Sequence, residues 1–203
     1  MPNYNNKDFA IILAAGLSTR MGVCKTTLPW HNNKTLLRYQ AEQFLLAGIT
    51  PIVVLGSHNA YRRSYCPLSS RIVINFNSKL GKTSSILTGL NALPGNFSSV
   101  IISAVDQPRS ADIYHTLLQT FNRNKSLIVA PCYRHKLGHP LLFSSQLLPE
   151  LKKIDDLSFG IRKIVKNLNN QIEKIELASS EIFIDINHVD TYHSVLQHSR
   201  WRF

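Results

Sequence analysis

Arg20 and Lys25 stand in a short glycine-bearing segment, Leu13-Ala14-Ala15-Gly16-Leu17-Ser18-Thr19-Arg20-Met21-Gly22-Val23-Cys24-Lys25, at the end of the apolar run Phe9–Leu13. Small residues at Ala14, Ala15 and Gly16 let a ligand approach the backbone. Gly16 and Gly22 permit the positive φ angles that curl a loop around an anion. Successive N–H groups in such a loop form a concave anion site. Arg20 adds a forked cation and Lys25 a point charge, so the segment suits a polyphosphate. Asp106 ends a second apolar run, Val100–Val105, and opens Asp106-Gln107-Pro108. Beside a polyphosphate, a carboxylate is most useful with magnesium between them, because hard cations prefer carboxylate and phosphate oxygens. On residue type alone, Asp106 could equally do no more than shape the turn before Pro108.

Other chemistries find little support. Gly81-Lys82-Thr83 looks like the end of a Walker A loop, but Phe76 stands where that motif needs its first glycine. His135 and His139 cannot share a helical zinc-binding face, since Gly138 and Pro140 break any helix there. No Gly-x-Ser-x-Gly elbow is present. Cys24 lies close to two cations, yet no partner base can be named, and it reads as a small loop filler. His139 sits in a rigid turn that could offer an imidazole to an anionic substrate or keep a local hydrogen bond.

These residues need a scaffold that brings strand ends together. Short apolar runs alternate with helical patterns, which predicts a three-layer α/β/α sandwich around a mostly parallel sheet. Strands are expected at Phe9–Leu13, Ile49–Leu55, Arg71–Phe76, Val100–Val105 and Leu127–Ala130. Helices are expected at Thr35–Ala47 and Thr83–Leu93, and from a Ser110 cap to Phe121. In open parallel sheets ligands bind beyond the carboxyl ends of the strands, so the glycine loop and Asp106 should face one cleft. After Pro131 the rhythm changes. Pro140–Phe143, Ile172–Leu177 and Ile182–Ile186 read as extended, and Leu147–Leu151, Ser158–Leu168 and Val189–Leu196 as helical. We expect a single domain over residues 1–203, with residues 132–181 partly forming a lobe on the acceptor side.

The formal charge of +11 favours anionic partners. The positive residues are scattered, and no basic run interleaves with aromatics, which argues against nucleic acid. Three distant cysteines make no disulfide framework. A polar N-terminus and the lack of long apolar runs give no sign of a signal peptide or membrane span, so a cytoplasmic protein is expected.

Several motifs occur in the order of one family. The segment from Leu13 to Lys25, followed by Leu28-Pro29, resembles the signature loop of the nucleotidyltransferases that modify molybdenum cofactor, within the glycosyltransferase-A-like class. Asn77-x-x-x-Gly81-x-x-Ser84-Ser85-Ile86 resembles their second loop. Asp106-Gln107-Pro108, Ala130-Pro131, Gly138-His139-Pro140-Leu141-Leu142-Phe143 and Asp185-Ile186-Asn187 follow in order, covering nearly the whole chain. The cytidylyltransferase branch is the nearest match.

That resemblance implies a Rossmann-like nucleotidyltransferase fold, CTP, Mg2+, and a terminal phosphate on molybdopterin that receives CMP as pyrophosphate leaves. It implies that Leu13, Ala14, Ala15, Gly16, Arg20 and Lys25 hold the triphosphate, with Gly81 and Ser84 near base and ribose. Asp106 and Asn187 would hold the metal, and Gly138, His139 and Pro140 would face the acceptor. Arg20, Lys25 and Asp106 would carry the catalysis, and a molybdoenzyme or its chaperone would receive the product. Relatives that use GTP typically carry two glycines where Ala14-Ala15 stand, so the alanines point to a pyrimidine. The chain departs from the pattern at Lys82-Thr83, Val105, Asn187 and His188-Val189-Asp190. Lys82 in particular would favour a more anionic acceptor. A sugar phosphate or isoprenoid precursor as acceptor, or a nucleotide-binding module without turnover, are the competing readings.

Overall fold

A computed structural model describes residues 7–18, 21–156 and 160–198. Its centre is β1 (Asp8–Leu13), in which Phe9, Ala10, Ile11 and Ile12 are almost wholly shielded from solvent. Both faces of such a strand must be covered, which explains a continuous apolar run rather than an alternating one. Phe9, Ile11 and Leu13 join one core cluster, and Ala10 and Ile12 the other.

The remaining strands of the main sheet are β2 (Thr50–Gly56), β3 (Arg71–Asn75), β4 (Ser99–Ala104), β5 (Ile128–Tyr133), β6 (Leu141–Ser144) and β7 (Ile172–Glu176). Their order across the sheet is β7-β5-β6-β4-β1-β2-β3, and Lys136–Leu137 adds a short antiparallel pair to β5. Neighbours are parallel except at β6, which lies antiparallel to both β4 and β5. Strands β6 and β7, from the region after Pro131, therefore belong to this same sheet.

Helices α1 (Leu36–Leu46) and α3 (Ala111–Asn124) cover one face, where the Phe44 and Tyr114 rings stack with centroids 3.8 Å apart. Helix α2 (Lys82–Asn91) and the short α4 (Leu148–Leu151) and α5 (Ile161–Asn167) cover the other. The expected three-layer sandwich is thus the observed fold. Gly89 lets α2 press close to β1, for a Cβ there would come within 2.5 Å of the Ile11 side chain. That approach fixes where the N-terminal end of α2 stands relative to the end of β1.

Two local differences from the sequence reading have clear causes. Ile182–Ile186 forms no strand: Ser180–Phe183 is a 3-10 turn, and the chain then passes without regular structure to Asn187, whose N–H donates to Asp185 O at 3.1 Å. Ser110 precedes α3 but its hydroxyl does not cap it. The α3 N–H groups bond distant side chains instead, Ser110 N to Glu181 and Ala111 N to Gln43 Oε1 at 2.9 Å. Helix α6 (Val189–His198) closes the described chain, and Tyr192 Oη donates to the Pro29 carbonyl at 2.6 Å.

Candidate active site

Strands β1 and β4 are parallel neighbours with Leu13 opposite Ala104, so the segments beyond them leave the same edge. The ladder runs one step past the strands: Val105 N donates to Leu13 O at 3.0 Å, and Ala14 N to Val54 O at 2.9 Å. Asn59, which is buried, fixes this exit. Its Nδ2 donates to Ala14 O at 2.9 Å while its Oδ1 accepts from Gly56 N at 2.8 Å. On the α1 side, the buried Gln40 donates to Ala104 O at 3.0 Å and Gln107 O at 3.1 Å, which pins the turn carrying Asp106.

The glycine loop curls differently from the sequence expectation. Gly22 takes a positive φ of 66°, but among the loop's described residues the other left-handed one is Ser18 (φ 55°), not Gly16. At Gly16 a Cβ would meet nothing within 4 Å, so no contact within the protein calls for glycine there. Ser18 ties the loop ends together: its Oγ accepts from Lys25 N and its carbonyl from Met21 N, both at 3.1 Å. Arg20 lies outside the described residues. Beyond the loop, Arg62 Nη1 holds Thr26 Oγ1 at 2.7 Å, and Met21, Leu28 and Trp30 pack against Leu36, Tyr39, Ile186 and Tyr192.

Lys25 stands at the centre. Its ammonium lies 2.6 Å from Asp106 Oδ2 and 2.7 Å from Asn187 Oδ1. Ile186 N donates to Asp106 O at 2.9 Å, so the strap bearing Asn187 is laced directly to the end of β4. A carboxylate and an amide oxygen sharing one cation are suitable donors for a hard metal ion. Among the described residues no cluster of three His, Cys, Asp or Glu could hold a metal alone. A cation here would take its other ligands from phosphate and water, as magnesium commonly does.

These residues line a cleft of about 460 Å³ together with Leu13, Ala14, Ala15, Gly16 and Gly81. Ser84 is not on its wall. The Ser84 hydroxyl accepts from Asn75 Nδ2 at 2.7 Å and donates to Asn77 O at 2.9 Å, while Ser85 lines the cleft. The sequence reading also passed over Asn59, Gln40, Gln107 and Asp185. Of these, Asp185 carried a signal, for it shares a motif with Asn187; Asn59 and Gln40 carried none.

A second, larger cleft of about 840 Å³ adjoins the first, sharing Leu13, Lys82, Ala104, Gln107 and Asp185. Its walls include the apolar Ile86, Ile102, Leu141, Phe143, Ile161 and Val165 and the cationic Lys82, Arg162 and Lys166. Asp156 bonds the Thr83 hydroxyl and crowds Gly81, whose φ of 109° and missing side chain leave room for that carboxylate. His139 lines this cleft, and partial desolvation, then Lys82 and Arg109, hold its imidazole below the usual pKa. Gly138 and Pro140 are buried, and Gly138 abuts Ile182 so closely that a Cβ would come within 2.6 Å.

The chain matches the model of the MobA-like NTP transferase domain over residues 10–174. It belongs to that family, and is a nucleotidyltransferase. It is 24% identical to the nicotine blue oxidoreductase of Paenarthrobacter nicotinovorans, over 92% of this chain and 95% of that protein. Among solved structures, it superposes on Rv0371c of Mycobacterium tuberculosis H37Rv with a TM-score of 0.81, at 21% identity, over 95% of this chain and 98% of that one. A manganese complex of Rv0371c matches at 0.76, with 20% identity over 95% and 100% of the two chains. A nucleotidyl transferase of Methanothermobacter thermautotroptrophicus matches at 0.78, with 22% identity over 96% and 98%. At such identities the structural likeness establishes the fold of this family member, a mostly parallel sheet between helices in the Rossmann-like nucleotidyltransferase manner.

Proposed function

We propose that this chain transfers CMP from CTP to the terminal phosphate of molybdopterin, releasing pyrophosphate. The observation that carries the reading is Lys25 shared between Asp106 and Asn187, at the floor of a cleft that opens into a second with cationic walls. Asp106 and Asn187 would hold Mg2+, which when bound neutralises triphosphate charge and orients the α-phosphate. Lys25 and Arg20 would meet the triphosphate, with Gly16 leaving its backbone open to the phosphates. Gly81 and Ser84 would border base and ribose, Ser84 through the turn it braces. Gly138, His139 and Pro140 would shape the acceptor side, with His139 presented as a neutral imidazole.

The nucleophile is already an anion. An acceptor phosphate oxygen forms a bond to the α-phosphorus as the α–β bridging bond breaks, and the electron pair leaves on pyrophosphate. No strong general base is required. Catalysis would rest on alignment and on fixed positive charge at the leaving group.

Lys82, Arg162 and Lys166 outnumber Asp156 and Asp185 around the second cleft, which favours an anionic acceptor, and its width and apolar wall can take the ring system of molybdopterin or the carbon chain of a phosphorylated isoprenoid precursor. The product would pass to a molybdoenzyme or its chaperone in the cytoplasm. No helix among the described residues is long and apolar enough to cross a membrane. Pyrophosphate release should be measured with CTP, UTP or GTP against molybdopterin, a sugar phosphate and an isoprenoid phosphate, with and without Mg2+. Release with CTP, molybdopterin and Mg2+ together is expected. Release with CTP and another acceptor only would replace molybdopterin, and none with any pair would refute nucleotidyl transfer by this site.

A further inference from the structure

Arg109 is among the largest fully buried side chains, 1% exposed, and no carboxylate lies within ion-pair distance of it among the described residues. Its guanidinium is spent on three backbone carbonyls. Nε donates to His139 O at 3.0 Å, Nη1 to Pro108 O at 2.7 Å, and Nη2 to Ile182 O at 3.0 Å. Each carbonyl belongs to a different segment of the site. Pro108 stands two residues past Asp106, His139 belongs to the Gly138-His139-Pro140 turn, and Ile182 opens the strap that ends in Asn187.

The three segments touch elsewhere, but only in pairs. His139 N donates to Ile182 O at 3.0 Å, and Ile186 N to Asp106 O at 2.9 Å. Arg109 is the group that grips all three at once. A full charge is an expensive way to satisfy carbonyls if stability were the only need, since a buried cation loses much hydration. Its planar fork, however, fixes three donor directions from three separate nitrogens, whereas the three donors of a lysine ammonium rotate about a single nitrogen and a neutral amide has only two.

We propose that Arg109 is a positioning residue that sets the distance between Asp106 and Asn187 and the placing of the His139 turn against them. It touches neither nucleotide nor acceptor and acts through the carbonyls it holds. The proposal rests on the reading that nucleotide and divalent cation meet at Asp106 and Asn187.

The test needs no acceptor. Mn2+ serves as the probe metal, and its affinity is measured in the presence of CTP for wild type, Arg109→Lys and Arg109→Gln. CTP affinity without metal and thermal unfolding are measured alongside. Outer partners of metal ligands typically matter by about 10- to 100-fold, so both variants should weaken Mn2+ by about tenfold. CTP affinity without metal should stay within about twofold, a split that general loosening would not produce. Folded variants that bind Mn2+ as tightly as wild type would overturn the proposal alone. Wild type that binds neither CTP nor Mn2+ with CTP would overturn the nucleotide reading and this one with it. If neither Arg109 variant folds, Gly138→Ala reports on the same joint, because its new Cβ drives the turn away from Ile182. Weakened Mn2+ binding there supports the proposal, and unchanged binding overturns it.

Discussion

The proposed nucleotide cleft lies at the ends of β1 and β4, parallel neighbours buried on both faces, whereas the proposed acceptor cleft is walled by the inserted antiparallel β6, the start of α2 and the short helix α5. In the first, three described groups are already engaged. Lys25 lies against Asp106 and Asn187, the Asp106 turn is pinned by Gln40, and the loop exit is held by Asn59. In the second, Arg162 and Lys166 project from an exposed face of α5 into a wider space. Groups that stabilise a transition state must be held rigidly before the reaction begins. Groups that select among substrates can sit on elements whose replacement leaves the sheet intact.

The largest effect should come from Asp106→Ala, which removes the only charged oxygen from the Lys25 cluster. Loss of a well-placed electrostatic group costs about 10²- to 10³-fold in turnover, and pyrophosphate release should fall by that order while circular dichroism stays native. A folded variant with near-normal turnover at limiting Mg2+ would show that the chemistry does not reside in this half. Asn187→Ala should act in the same direction but less, since a neutral ligand contributes less charge.

Lys25→Ala comes next and separates two roles for one cation. If Lys25 meets charge that develops at the phosphates, kcat falls by about tenfold or more while KM for CTP changes little. A change in KM alone would make Lys25 a binding residue only. In the acceptor half, Arg162→Ala with Lys166→Ala should raise acceptor KM several-fold, as expected for two exposed ion contacts of up to about 1 kcal/mol each. KM for CTP should not move, and a shift there would erase the division between the halves.

Glu181 stands one residue before the strap that carries Asp185 and Asn187. Burial pushes its carboxyl up to about 7 from the usual 4.5, against the lowering effect of the Ser110 N–H and of Arg109. A raised acid pKa means the folded state holds the proton more tightly, so stability falls as pH rises from about 4.5 through about 7. Glu181→Gln cannot titrate and should flatten that slope, by at most about 3 kcal/mol over the interval. Chemical denaturation at pH 5 and pH 8 reads the slope directly. An equal slope in both proteins would place the titration elsewhere.

Much of this was legible in the sequence because the groups concerned sit at strand ends. An apolar run followed by small residues announces both the strand and the exit, so Leu13 to Gly16, Lys25 and Asp106 could be assigned to one edge. What stayed hidden depends on tertiary placement. Nothing in the local sequence of Asn59 or Arg109 shows that their side chains clamp carbonyls from distant segments. Of the Ser84–Ser85 pair it is Ser85 that lines the cleft, and only the placing of the helix, with Gly89 against Ile11, decides which hydroxyl does so. Likewise Ser110 reads as a cap from its type, yet Glu181 and Gln43 take that work from across the fold.

The smallest expected effect concerns the base. The sequence suggests that the methyls of Ala14 and Ala15 narrow the slot against a purine. The structure divides them. Ala14 belongs to the core cluster with Ala10 and Ile12, and its backbone N and O are taken by Val54 and Asn59. Its carbonyl is thus already engaged and is a poor acceptor for a cytosine amino group. Ala15 lines the nucleotide cleft, is nearly buried, and belongs to no core cluster, so its methyl is the one left to shape the slot. One methyl of fit is worth about 1 kcal/mol, or roughly fivefold. Ala15→Gly should therefore shift the kcat/KM ratio of GTP to CTP upward by about fivefold in direct competition. Ala14→Gly should leave that ratio alone and cost about 1 kcal/mol of stability, the loss of one buried methyl from the core. The reverse pattern, with Ala14→Gly moving the ratio and Ala15→Gly silent, would return base selection to the backbone at the end of β1. Silence from both would move it across the cleft to the Gly81 turn.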